Sequence, residues 1–250
     1  MIIITMLVVG LILGFVGAGG SGVIIALLTT VFGVSIHTAL GTSLLAMVLT
    51  TISGAVSHFR EGNVVTKTGA AIGGFGAIGA FAGSHIAHRI AAHDLTWLTA
   101  CMLFLSALLL WMRMFISKKR QSSQMDDQLV LSGSRFWLSA IGLGLVTGLL
   151  SGTFGIGSTP FIQIGLLLFF GMSIRQAAGT TMLVILPIAL LGGIGYMSNG
   201  YLNVGLFFEV VIGTMVGTYI GAKFTKRLHP IVLKIAMVTV PTIGGLLLLV

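Results

Sequence analysis

Two glycine-dense stretches hold the residue types and spacing on which chemistry could rest: GFVGAGGSG, Gly14 to Gly22, and GTFGIGSTP, Gly152 to Pro160. Each interrupts an apolar segment too long to be one ordinary membrane span. Glycine tolerates positive φ and Pro160 suits the first turn of a new helix, so each stretch reads as a break between two half-helices. A half-helix that starts at Ser21 or Thr159 aims free N–H groups and the positive end of its dipole into the gap, which is the chemistry of an anion site. Unsatisfied backbone at membrane depth is so costly that a break persists only beside protein or a polar cavity. Gly17, Gly19, Gly20 and Ser21 are then one half of a substrate site, and Gly155, Gly157, Ser158 and Thr159 the other.

A second motif follows each break: Ala39-Leu-Gly-Thr-Ser43 and Ala178-Gly-Thr-Thr181. Thr42, Ser43, Thr180 and Thr181 can donate hydrogen bonds to an oxyanion without carrying charge. The alternative is that they cap or back-bond their own helices. Their repetition at matched positions favours the cavity. Polar groups in or near the apolar segments are few, and His37, His58, Gln163, Arg175 and Glu209 are the candidates for a pathway or for proton coupling. His37 and Arg175 would draw an anion to a mouth, and His58 and Glu209 would carry protons, each against the commoner fate of a structural hydrogen bond. His85, His88 and His93 read as a wet surface, and no metal site is expected. Gly17 to Gly22 also spells GxGxxG, but no βαβ unit surrounds it. Neither a Walker lysine motif nor HExxH, a nucleophile elbow or a carboxylate pair occurs, so no catalytic residue is assigned and an embedded enzyme is the weaker reading.

The elements that would position these residues are hydrophobic helices. Apolar residues make up 56% of the 250, charged residues 7%, and mean hydropathy is +1.12. A water-soluble fold is excluded. Eight apolar segments follow one another at 1–32, 38–58, 68–90, 95–116, 136–171, 176–198, 205–222 and 230–250. The first lacks a basic n-region and a cleavage site, so it is expected to stay in the mature chain. The formal charge of +8 comes from residues at segment ends, where they anchor helices, and no nucleic-acid partner is expected. Cys101 alone supports neither a disulfide framework nor a thiolate metal site.

A shift of 138 residues, from Gly33 to Gly171, lays GVSIHTALGTSLL on GMSIRQAAGTTML and pairs Gly10 with Gly148, Gly79 with Gly217 and Gly83 with Gly221. The expectation is two pseudo-symmetric four-segment repeats, 1–116 and 136–250, joined by a polar basic linker at 117–135. The GxxxG spacings at Gly10 and Gly14, Gly79 and Gly83, Gly144 and Gly148, and Gly213, Gly217 and Gly221 read as helix packing. If every segment crosses once, Lys and Arg divide about evenly between the two sides. If the broken segments re-enter, Arg60, Lys67, Arg113, Lys118, Lys119, Arg120, Arg135, Arg175, Lys223, Lys226, Arg227 and Lys234 share one side and Arg89 is alone on the other. That division favours inverted repeats with the basic side cytoplasmic.

These glycine clusters, the two GxSI stretches, HFREGNV at His58 to Val64 and YMSNGYL at Tyr196 to Leu202 resemble the TauE/SafE family of sulfite exporters and anion permeases over nearly the whole chain. The resemblance implies a multi-pass inner-membrane permease for sulfite, an organosulfonate or a related anion, without a covalent cofactor. Ser21-Gly22 departs from the family pattern that Thr159-Pro160 keeps, so the half-sites need not contribute equally. The expected partners are a small anion, the lipid bilayer and a coupling proton or sodium ion. Assembly into a homo-oligomer is left open, as are the direction of transport and a passive anion channel.

Overall fold

In hydrocarbon a chain must satisfy its own backbone N–H and C=O groups, and an apolar, nearly charge-free sequence does so as α-helix. A computed structural model describes residues 1–16, 21–121, 133–156, 158–225 and 230–249. The fold is all-α, 87% helix, with no strand among the described residues. The helices are α1 (Ile2–Val16), α2 (Ser21–Thr30), α3 (Ile36–Arg60), α4 (Thr66–Arg89), α5 (Ala92–Gln121), α6 (Ser134–Phe154), α7 (Thr159–Leu168), α8 (Ile174–Ser198), α9 (Val204–Thr225) and α10 (Pro230–Leu249). Each of the two long segments expected at 1–32 and 136–171 holds two helices, which makes ten among the described residues where eight segments were expected. Among the described residues, α3, α4, α6, α8 and the stretch Ala92–Met112 of α5 are long and apolar enough to cross a membrane.

Local chemistry sets several boundaries, and it recurs 138 residues on. Gly33 and Gly171 take φ of +63° and +64°, a conformation that only glycine adopts freely. Ser35 then caps α3 by accepting from the Thr38 N–H, and Ser173 caps α8 with a reciprocal capping box to Gln176. The shared GxSI motif is therefore the turn and cap that start these helices.

Packing is closest where glycine lets backbones touch. An ideal Cβ on Gly79 would sit 2.6 Å from the Leu145 carbonyl oxygen and 3.0 Å from the Leu149 nitrogen. One on Gly217 would meet the Leu7 carbonyl oxygen and the Leu11 nitrogen, which are the same atoms displaced by the same shift. Thus α6 lies along α4, and α1 along α9. Both pairs are parallel, because partners climb together: Gly213 meets Ile3 and Leu7 while Gly217 meets Leu7 and Leu11. By contrast α3 and α8 run antiparallel, with Gly41 against Tyr196, Gly193 against Leu45, Gly54 against Met182 and Gly179 against His58. The first helix of each broken segment is therefore held by the other end of the chain.

Glycines 142 and 148 of α6 separate packing from propensity. A Cβ on Gly148 would strike the Gly76 backbone, whereas nothing lies within 4 Å of one on Gly142. Gly148→Ala is expected to destabilise by about 1–3 kcal/mol through overpacking, and Gly142→Ala to be neutral or stabilising by up to about 1 kcal/mol. Thermal unfolding in detergent checks this; equal midpoints for the two variants would mean the α4–α6 contact does not limit stability.

Candidate functional site

The second break is built by three residues that cannot continue a helix. Gly155 closes α6 in the left-handed region at φ +65°, donating its N–H to the Ser151 carbonyl at 2.8 Å. Ser158 precedes α7 with φ +46°, the one non-glycine residue with positive φ among those described, and its side chain makes no capping bond. Pro160 occupies the first turn of α7 and removes one N–H donor there. The first break lies between Val16 and Ser21. Gly17, Gly19, Gly20 and Gly157 lie outside the described residues.

An ideal Cβ on Gly155 would sit 2.6 Å from Leu40 Cδ2 and 3.2 Å from Ile25 Cδ1, so the second break is walled by α2, which starts the first half-site, and by α3. Gly192 of α8 approaches Leu44, and its own Cβ would lie 3.8 Å from Gly152 Cα. Tyr196, fully buried in α8, donates its hydroxyl to the Thr153 carbonyl at 3.1 Å, taking up one of the C-terminal carbonyls that α6 leaves unpaired.

Most hydroxyls in these helices are spent locally. Thr147 and Thr153 donate to carbonyls one turn back, as do Ser43 to Leu40 and Thr181 to Ala177. Thr180 accepts from the Val65 N–H at 3.0 Å and so positions the start of α4. Among the sequence candidates, then, Ser43, Thr180 and Thr181 have structural partners. Ser21, Thr42, Ser158 and Thr159 do not: each is at most 3% exposed with its oxygen unpartnered, and Ser151 Oγ and Gln163 Oε1 are in the same state. Of the eight such atoms among the described residues, these six belong to the breaks, to α7 one turn on, and to α3 beside them. An unmade buried hydrogen bond costs about 1–3 kcal/mol, so these six atoms, on the helices that flank the breaks and on α3, are the groups most open to a further polar partner. Ser151 escaped the sequence reading because nothing local distinguishes it from a back-bonded helix serine.

The charged candidates fall apart into two groups. His37 and His58 stand near opposite ends of α3. His37 is buried, stacks on Tyr201 with ring centroids 4.7 Å apart, and points Nε2 at the Ala87 carbonyl oxygen at 3.1 Å. His88, exposed at the surface, also meets the Tyr201 hydroxyl at 2.7 Å through Nδ1. Beside this cluster, Glu209 faces an open cavity of about 910 Å³ bordered also by Ile2, Val34, Thr38, Tyr201 and Asn203. At the other end of α3, His58 lies 3.9 Å from Glu61, and Arg175 is exposed in the first turn of α8. Only Gln163 of this set reaches the breaks.

The family described as sulfite exporter TauE/SafE matches residues 2–248. "Probable membrane transporter protein YdhB" of Bacillus subtilis is 51% identical over 249 residues, covering 100% of this chain and 99% of the relative. YjnA of the same organism, likewise titled a probable membrane transporter, is 26% identical over 258 residues, 99% of this chain and 98% of its own. A similarly titled Xylella fastidiosa protein is 28% identical over 221 residues, 88% of this chain and 82% of its own. No solved structure gives a significant match.

If Tyr196 secures the end of α6, Tyr196→Phe should destabilise by about 1 kcal/mol and speed amide hydrogen exchange selectively at residues 153–156. Uniform acceleration across α6, or none, would assign the tyrosine to general packing.

Proposed function

Because the chain belongs to the TauE/SafE sulfite exporter family and is a multi-pass membrane transporter, we propose that it is a secondary permease for a small anion such as sulfite or an organosulfonate. The anion binds where the two helix breaks adjoin, and alternating access around that point moves it across the cytoplasmic membrane. The observation that carries this reading is the set of six buried, unpartnered polar atoms on the helices that flank the breaks and on α3. Helix N-termini beside neutral donors suit an anion, and discontinuous helices meeting within the bilayer are the usual setting for such a site.

The architecture proposed is an inverted pair of repeats, 1–116 and 136–250, with 117–135 as a linker. Three observations support it. Equivalent helices α3 and α8 run antiparallel. Helix boundaries match under one shift, Ser21 to Thr159, Ile36 to Ile174 and Thr66 to Val204. Ile2, which opens α1, and Val34, just past α2, border the same cavity, as re-entry from one side requires. On this topology the twelve clustered basic residues face the cytoplasm and the Glu209 cavity faces outward, where Glu209 and the His37–Tyr201–His88 cluster are placed to couple transport to a proton.

Purified protein in liposomes should show saturable sulfite flux that an imposed proton gradient drives, with sulfate and a carboxylate as competitors. Saturable flux indifferent to the gradient would remove the proton. Absence of flux for every anion, in vesicles holding folded protein, would remove the anion-transport reading.

A further inference from the structure

The charge pattern around the breaks is as informative as the polar atoms. No Lys, Arg, Asp or Glu occurs from Met1 to Phe59, from Phe136 to Ile174, or from Gln176 to Phe208. The helices that wall the site therefore carry formal charge only at their ends, at Arg60, Arg135 and Arg175. His37, one turn from Leu40, is occupied by Tyr201 and the Ala87 carbonyl. What remains to meet an anion is five unpartnered hydroxyls, those of Ser21, Thr42, Ser151, Ser158 and Thr159; the unpartnered atom of Gln163 is its Oε1, an acceptor, which does not hold an anion.

These groups are also unevenly shared. Ser151, Ser158 and Gln163 correspond under the repeat shift to Leu13, Gly20 and Ile25; Ser21 with Thr159 and Thr42 with Thr180 are polar in both members, and of these four Thr180 is already engaged by the Val65 N–H. Ile25 is fully buried with its Cδ1 toward Gly155, and Leu40, also fully buried, joins it there. Polar groups thus crowd the second break, and Ile25 of α2 and Leu40 of α3 give it an apolar wall.

Resting on the anion-transport reading above, we infer that the site selects singly charged anions over doubly charged ones and holds the charged end at the second break. The desolvation cost of an ion rises with the square of its charge, about fourfold from monoanion to dianion. Attraction to neutral donors rises only in proportion to that charge. A cation in the site would restore the balance for a dianion, and the walls contain none. The apolar surface of Ile25 and Leu40 adds nothing to hold a second charge and accepts an uncharged substituent.

The test compares methanesulfonate, a monoanion, with sulfate, a dianion of similar size, as competitors of sulfite flux and as ligands that raise the unfolding temperature of the full-length protein in detergent. Methanesulfonate is expected to act at a concentration at least about tenfold lower than sulfate, the ratio that one charge-assisted hydrogen bond's worth of discrimination produces. Sulfate equal to or better than methanesulfonate would overturn this inference while leaving anion transport standing. If neither anion binds and no sulfite moves, both readings fall. Ser158→Ala should weaken methanesulfonate by about tenfold, and Ser21→Ala by about twofold or less. Equal losses at Ser21 and Ser158 would overturn the assignment of the charged end to the second break. The competitor ratio is read on the unsubstituted protein and so stands even where a variant fails to fold.

Discussion

A helix that stops inside a membrane leaves carbonyls at one end and N–H groups at the other with no water to meet them, and the rest of this structure answers that constraint. Each of α1 and α6 is pressed backbone to backbone along a longer helix from the other end of the chain, α1 on α9 and α6 on α4. Side chains larger than glycine would separate these surfaces. Tyr196 and the left-handed Gly155 then finish the end of α6 in detail. What stays unfinished is on the other side of the gap, in the hydroxyls of Ser158 and Thr159 at the start of α7, where no preceding helical turn supplies them with carbonyls.

That selectivity distinguishes a site from a polar interior. Threonines in helices commonly bond their own backbone, and here Thr147, Thr153, Thr181 and Thr214 all do. Thr42, inside α3 and equally little exposed, does not, and Thr159, at the first position of α7, has no helical carbonyl one turn back to use. The gap therefore combines a rigid, glycine-packed frame with loosely committed donors, the arrangement expected where a ligand must be gripped and released.

Much of this was legible in the sequence because its signals are local. Glycine density, apolar run length and a constant shift between matching residues located the breaks, the helices and their order. Spacing alone did not separate every packing glycine from a break glycine: Gly152, read with the second glycine stretch, lies within α6, where an ideal Cβ would strike the Ala80 backbone. The shared GxSI stretches were visible too, although part of their identity belongs to turns and caps at Gly33, Ser35, Gly171 and Ser173 and not to ligand chemistry. What local signals could not supply was the partner of each hydroxyl. Thr180 holds Val65 from 115 residues away and His88 finds Tyr201 from 113, so their roles follow from tertiary contact. Ser151 differs from Thr147 only in lacking a bond, which composition does not record.

The crossed support of the broken helices has a consequence for biogenesis. During synthesis α1 emerges first, yet the surface that accepts it is on α9, so its glycine face must wait while nearly all of the remaining chain is inserted. Contacts so distant in sequence form late. The second broken helix has its partner α4 already in place when it appears. The two ends of the molecule thus mature in different orders, and a chain cut after the linker would leave its leading fragment with an unclaimed glycine stripe that only the trailing fragment can cover.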